Sequence, residues 1–379
     1  MASRLWPHSQ LPGKVVDFVW NDMRPGGCLA MEPAPRFFER ASGIVIARKW
    51  YPAEEQAKRV FRSPLISTAN QTVDEILGYF SQVANKVTIY EGFNEVEEFP
   101  GQALTGDRLK IYGEWMLYVA EAFHRAGKRY LCGSFSVGNP VDIEGDWLSL
   151  AQAVKAADAL GLHEYGTPTV LSGGGWHTLR YRRVVERLWR LGITPRIIIT
   201  ELGIDRVVEG GYRGWRKSGV SAQQYAEQLA AYDREIQQDD YVLGACIFTC
   251  GGNRDWVDFN IDGEGAIAEY IRTNTTGPAT WPVGVTPAPQ PEPPVPIPGG
   301  NMIIGAGLKK GESLIGPYLE SEVYHFPGTD REVSMAVGEY GYATWSRKTN
   351  ETAVHTNTGE VYRDYGNWRE GKLVRVSGL

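Results

Sequence analysis

From the N-terminus to about residue 274, short apolar, often β-branched runs alternate with longer segments whose apolar residues recur every three or four positions. Such alternation is the mark of a parallel sheet whose strands are joined by helical crossovers. Eight strands are predicted: Arg4 to His8, Gly27 to Met31, Gly43 to Ala47, Val87 to Glu91, Arg129 to Gly133, Ala159 to His163, Arg196 to Thr200 and Val242 to Phe248. The first is the faintest. The helical period is clearest in Asp107 to Ala126, Tyr181 to Leu191 and Ser221 to Gln238. Thr105 or Gly106 can cap the first of these helices, and Gly127 and Gly192 stand where two of them should stop. The pattern predicts a (β/α)8 TIM barrel over residues 1–277.

The pattern changes after the barrel. Residues 278–300 are proline-rich, including Pro287-Ala-Pro-Gln-Pro-Glu-Pro-Pro-Val-Pro-Ile-Pro298, and predict an extended polyproline II linker. Residues 301–379 carry short alternating runs such as Glu332-Val-Ser-Met-Ala-Val337 and Tyr340-Gly-Tyr-Ala-Thr-Trp345, separated by Gly and Asn turns. A small all-β C-terminal domain is expected there. Its aromatic residues, among them Tyr318, Tyr324, Trp345, Tyr362 and Trp368, suit a glycan-binding surface, the core of a small β domain, or attachment to an assembly partner.

Composition narrows the function. At 379 residues the chain holds one barrel of roughly 250 residues and a small appendage. The net charge of −6 is spread without a basic block, which argues against nucleic acid or an anionic membrane as the main partner. A polysaccharide fits better. The sequence as written starts Met-Ala-Ser-Arg-Leu-Trp-Pro-His-Ser-Gln, with no apolar signal region, and no run reaches the roughly 18 apolar residues of a membrane span. The expectation is a protein made in the cytoplasm, acting there or after release by lysis. Cys28, Cys132, Cys246 and Cys250 all fall in predicted strands and are expected to be buried thiols; the last two lie too far apart on one strand to bond each other. No Cys or His spacing suggests zinc, and no metal or organic cofactor is expected.

Two carboxylates stand out in matching contexts. Glu95 closes Val87-Thr-Ile-Tyr-Glu-Gly-Phe-Asn-Glu95 at the fourth strand, and Glu201 closes Arg196-Ile-Ile-Ile-Thr-Glu201 at the seventh. A (β/α)8 barrel gathers the carboxyl ends of its strands on one face, so the two can meet in space. A protonated and an ionised carboxyl facing each other can break a glycosidic bond. Glu95 is assigned as general acid and then base, with the Asn94 amide placed to hold a sugar hydroxyl. Glu201, on its rigid β-branched strand, is assigned as nucleophile.

Tyr90-Glu91-Gly92-Phe93-Asn94-Glu95 and Ile199-Thr200-Glu201-Leu202-Gly203 resemble the two catalytic signatures of clan A retaining glycoside hydrolases, over roughly residues 4 to 274. The resemblance implies double displacement through a glycosyl-enzyme intermediate, with carboxyls about 5–5.5 Å apart. It also implies a His or Tyr on the sixth strand near the nucleophile, where Leu162-His163-Glu164-Tyr165-Gly166 lies, so that Tyr165 can donate to Glu201 and keep it ionised. Two departures are visible. Val96 follows the acid where Pro is common, and the eighth strand reads Cys246-Ile-Phe-Thr-Cys250 where many members present a Trp as sugar platform. Trp256 or Trp50 is expected to supply that surface.

Glu91 alternates with Phe93 and Glu95 and is expected to pair inside the barrel with Arg48, which can alternatively reach Glu201. His163 is a candidate for a sugar hydroxyl or for a polar core position. Glu32 and Glu164 are competing carboxylates, and Trp176, His177, Tyr212 and Trp215 are loop aromatics that can stack on sugars or on one another. Looser similarity of Leu162 to Pro168, Trp176 to Arg183 and Thr200 to Asp205 to uncharacterised phage and environmental bacterial barrels raises a peptidoglycan-degrading lysin as an alternative. A non-catalytic carbohydrate-binding or virion structural barrel is the other.

Overall fold

The computed structural model describes residues 2–96, 104–206, 213–252 and 255–282 in full, and the backbone of Arg254 and of six later strands. It divides into two compact units, Met1–Gln290 and Pro291–Leu379.

The first unit is a closed barrel of eight parallel strands in sequence order: β1 (Leu5–Ser9), β2 (Gly27–Ala30), β3 (Ile44–Arg48), β4 (Ile89–Glu91), β5 (Tyr130–Phe135), β6 (Ala159–Gly166), β7 (Ile197–Ile204) and β8 (Val242–Cys250). Helices α1 (Pro35–Arg40), α2 (Ala53–Val60), α3 (Leu65–Tyr79), α4 (Gly106–Arg125), α5 (Gly145–Ala156), α6 (Tyr181–Arg190), α7 (Ala222–Ile236) and α8 (Gly265–Asn274) lie between and after them. All eight predicted strands are present, the faint first one included. The three clearest helices lie within a few residues of the positions their period predicted. Gly127 and Gly192, at φ 67° and 71°, follow α4 and α6 in the left-handed region that glycine enters without strain. Ser221 and Gln224 form a reciprocal capping box at the start of α7, whereas Thr105 stands at the N-cap of α4 without a side-chain bond.

Alternate strand residues fill the barrel interior with Trp6, Leu29, Ile44, Ile46, Ile89, Leu131, Ala159, Ile198 and Cys246. Trp6 is the largest of these and is accommodated by two glycines. A Cβ on Gly27 would come within 2.9 Å of the indole, and one on Gly244 within 2.5 Å. Below it, Ala279 N donates to Gly26 O at 2.8 Å, and the Trp281 ring lies under the Arg129 and Arg196 guanidinium groups at 5.2 and 5.5 Å. The four cysteines are free and buried.

The main difference from expectation is at the upper ends of β6 and β7. Both run past their predicted last residues because they keep pairing with each other, from His163 opposite Glu201 to Gly166 opposite Ile204. The register shifts between Leu162 and His163, and again between β7 and β8 after Ile199. Such irregularities re-aim side chains next to functional sites. Among the described residues no helix is long and apolar enough to cross a membrane.

In the second unit, β9 (Tyr318–His325), β10 (Glu332–Gly338), β11 (Gly341–Ser346), β12 (Glu351–Thr356), β13 (Val361–Asp364) and β14 (Val374–Arg375) pair antiparallel, each with the next. The proline-rich stretch from residue 283 and the side chains of the C-terminal aromatics lie outside the described residues.

Candidate active site

The chain leaving β4 is pinned on both sides. Phe93 is buried, stacked on Trp115 at 4.6 Å and edge-on to Tyr51 at 5.2 Å. Gln56 of α2 accepts from Asn94 N at 2.9 Å and donates to Tyr51 O at 3.1 Å. Glu95 N donates to Ser134 O at 3.0 Å. These contacts hold Glu95 at φ 51°, a conformation that costs a non-glycine residue about 1 kcal/mol or more and is tolerated only where the surroundings fix it. The Glu95 side chain, 30% exposed, reaches over the barrel mouth.

On β6 the two-residue period turns His163 and Tyr165 inward and Glu164 outward. His163 Nδ1 lies 2.7 Å from Glu95 Oε1 and 3.6 Å from Glu201 Oε2. The Tyr165 hydroxyl donates to Glu201 Oε2 at 2.7 Å, the contact expected from the sequence. Arg48, at the end of β3, does both things proposed for it. Its Nη1 donates to Glu91 Oε1 at 3.2 Å and to Asn94 Oδ1, while its Nη2 donates to Glu201 Oε1 at 2.7 Å. Nη2 also lies 2.9 Å from His8 Nε2 of β1, a partner that sequence reasoning missed.

These contacts set the charge states. Burial works against ionisation of Glu201, but the positive charges of His163 and Arg48 outweigh it and hold the carboxyl at about 2. Burial also opposes charge on His163, yet Glu201 and Glu95 raise its pKa above the usual imidazole value. Burial and the adjacent Glu201 keep Tyr165 a phenol, and therefore a donor. Burial, Arg48 and His163 hold His8 neutral, only partly opposed by Glu201.

Glu95, His163 and Glu201 offer ligand atoms within 4.8 Å of one another, the only such group among the described residues that could hold a metal ion. Both Glu201 oxygens are already engaged, one by a guanidinium and one by a phenol. A cation would have to displace the first at close range, so the donor set suits proton transfer and nucleophilic attack better than metal binding.

A cavity of about 220 Å³ opens above these residues, with Arg48, Trp50, Asn94, Glu95, Tyr165, Glu201, Phe248 and Trp256 among its walls. Trp50 is 67% exposed at the mouth. Trp256 packs edge-on to Phe248 at 5.2 Å, and Arg213 lies 4.7 Å over its ring. Phe248 itself was missed: it stands in the wall where the sequence departs from the clan's Trp. His163 is buried behind the two carboxylates and is not part of the cavity wall. Glu164 is not at the mouth either. It is fully buried on the outer side of β6, accepting from Leu179 N at 2.7 Å, Tyr181 N at 3.3 Å and the Tyr232 hydroxyl at 2.6 Å. Trp215 is buried against Tyr225 with its indole N–H donated to Phe259 O, a packing role. Trp176 lies under Arg180 and Arg183. Glu32 and His177 are not among the residues that form the wall, and Tyr212 is outside the described residues.

No protein-family model matches the chain, and a search of curated proteins finds no match. Solved structures do match. A glucosidase from Croceicoccus marinus superposes with a TM-score of 0.52 at 13% identity, over 89% of this chain and 76% of that one. The barrel fold is shared. A GH39 enzyme from Xanthomonas axonopodis pv. citri matches with a TM-score of 0.48 at 10% identity, over 88% and 71%. A β-glucuronidase from Ruminococcus gnavus matches with a TM-score of 0.44 at 12% identity, over 72% of this chain; the chain spans about half of that enzyme's length, 49%. At these identities the likeness concerns the fold, and the chemistry has to be argued from the site.

Proposed function

We propose that the barrel is a retaining glycoside hydrolase that cleaves β-linked polysaccharide with Glu201 as nucleophile and Glu95 as acid and base. The observation that carries this reading is the spacing: Glu95 and Glu201 bring oxygens within 4.8 Å. A closest approach of that order suits the carboxyl separation of about 5–5.5 Å used for double displacement better than the roughly 6.5–9.5 Å that leaves room for a water in inverting enzymes.

In the first step Glu201 attacks the anomeric carbon while Glu95 passes its proton to the departing glycosidic oxygen. Arg48 and Tyr165 aim the Glu201 lone pairs and keep them charged until the bond forms. In the second step Glu95, now a carboxylate, takes a proton from water, whose oxygen attacks the anomeric carbon and frees Glu201. His163 bonds only one Glu95 oxygen, leaving the other to carry the travelling proton. Asn94 gives its carbonyl oxygen to Arg48, so its amide nitrogen is the half that serves a sugar hydroxyl. Phe248 and Trp256 form the apolar wall for the ring, and Trp50 extends it at the mouth. The C-terminal segment is read as a separate β module that binds glycan or an assembly partner.

The test is incubation with β-glucans, xylan, mannan, chitin and peptidoglycan, following the first-formed product anomer by proton NMR. The β-anomer forming first is expected. The α-anomer forming first would overturn double displacement, and no release from any polymer would return the barrel to a binding or structural role.

A further inference from the structure

Arg48 is the hub of the site, and its hydrogen bonds can be counted. A guanidinium carries two hydrogens on each terminal nitrogen and one on Nε, and accepts none; in Arg48 the Nε hydrogen is buried without a hydrogen-bond partner among the described residues. On Nη1, one goes to Glu91 and one to Asn94; on Nη2, one goes to Glu201 at 2.7 Å. The fourth is left for His8 Nε2 at 2.9 Å, since the Met31 thioether, a weak acceptor, stands 4.0 Å away.

We propose that His8 is a positioning residue for the nucleophile: a neutral acceptor that takes the last of the four terminal-nitrogen hydrogens of Arg48 and so fixes the guanidinium on Glu201. The inference deepens the hydrolase reading by naming a group that acts on Glu201 through Arg48. Because Arg48 can only donate, His8 Nε2 must be the bare nitrogen, with the ring proton on Nδ1. His8 is fully buried, lies outside the cavity wall, and is held by pairing with Leu29 and Phe248 and by its ring contact with Phe248 at 4.9 Å. A substrate therefore never needs to touch it. The charged groups that face it are Arg48 from β3, Glu201 from β7 and His163 from β6. The two cations, with burial, keep it in the accepting form.

Without that acceptor, one buried Nη2 hydrogen has only the distant Met31 sulfur, and the guanidinium gains by turning away to satisfy it. Glu201 then loses the alignment, and part of the charge, that keeps it ionised. A glutamine at position 8 can place its carbonyl oxygen about as far from the backbone as Nε2. Leucine supplies no acceptor, and asparagine is too short.

The experiment follows the Glu201 side-chain carboxyl by carbon-13 NMR in the full-length protein labelled at glutamate Cδ, with the Glu201→Gln spectrum giving the assignment. From about pH 4 to pH 8 the wild type and His8→Gln are expected to show an unchanging carboxylate. In His8→Leu, and in His8→Asn should the leucine variant not fold, the resonance is expected to titrate inside that window. On whichever glycan the wild type cuts, the same variants should lose about tenfold in kcat with KM nearly unchanged, and His8→Gln should recover it. An unchanged Glu201 titration in both His8→Leu and His8→Asn, or a His8→Gln protein that behaves like them, would overturn the proposal. A wild type inactive on every glycan would sink the hydrolase reading alone, since the NMR result stands without turnover.

Discussion

Replacing Glu164 with glutamine should change how stability depends on pH, and the structure sets both the sign and the size. Glu164 is fully buried between the barrel and the helices, and burial pushes its carboxyl up to about 7, against the lowering effect of the Tyr232 hydroxyl and the Leu179 and Tyr181 amides. The unfolded chain binds this proton with the ordinary glutamate value of about 4.3. Between those values the native state holds more proton than the unfolded state, so stability falls as pH rises through the window. A gap of that size amounts to about 4 kcal/mol in all at roughly 1.4 kcal/mol per pH unit, of which about 3 kcal/mol falls between about pH 4.5 and pH 8. The substituted glutamine would not titrate and can still accept from the amides. Urea melts of wild type and Glu164→Gln at intervals from about pH 4.5 to pH 8 isolate the effect, because every other group titrates in both proteins. The difference in unfolding free energy, variant minus wild type, should climb by about 3 kcal/mol across the window. Curves that stay parallel would refute the reasoning. So would a difference that falls with pH, which would mean that Glu164 is held ionised in the folded protein.

Other expectations follow from the same contacts. Arg48→Lys, which replaces a fork by a point charge, should cost about a hundredfold in kcat/KM even though the charge is kept, as measured on the substrate found for the wild type. Tyr165→Phe removes one donor to Glu201 and should lower kcat by about tenfold while moving the acid limb of the rate profile upward. In the wild type that limb should not come from Glu201 above about pH 4, since its carboxyl is held at about 2; the stability it contributes is present above the ordinary glutamate value and is lost as pH falls toward 2. Trp6→Ala should destabilise the barrel by about 3–5 kcal/mol in urea melts, because the indole fills space against Gly27 and Gly244 that their backbones cannot collapse into.

The barrel could be read from the sequence because each strand and helix declares its own period, and the closed order β1 to β8 follows from short right-handed crossovers. Glu95, Glu201, Arg48 and Tyr165 were legible for a related reason: each stands at or near a strand end, where the fold collects chemistry. What stayed hidden depends on register and on neighbours distant in sequence. His8 belongs to the faintest strand, and its partner Arg48 comes from β3, so nothing local marks it. Phe248 looks like any core residue until β8 brings it beside Tyr165. Glu164 looked like a third carboxylate at the mouth, and only the alternation of β6 about His163 and Tyr165 turns it to the outer side. The extra length of β6 and β7 is a property of their mutual pairing and has no trace in either segment alone.

The central claim is that Glu95 and Glu201 together break the glycosidic bond. It is tested most directly by reducing-end release from the polysaccharide panel with wild type, Glu95→Gln and Glu201→Gln side by side, each checked for folding. The account predicts at least one polymer cut by the wild type, with both variants slowed by about a thousandfold or more. Variants that cut as fast as the wild type, or a wild type that binds glycans and cuts none, would contradict it.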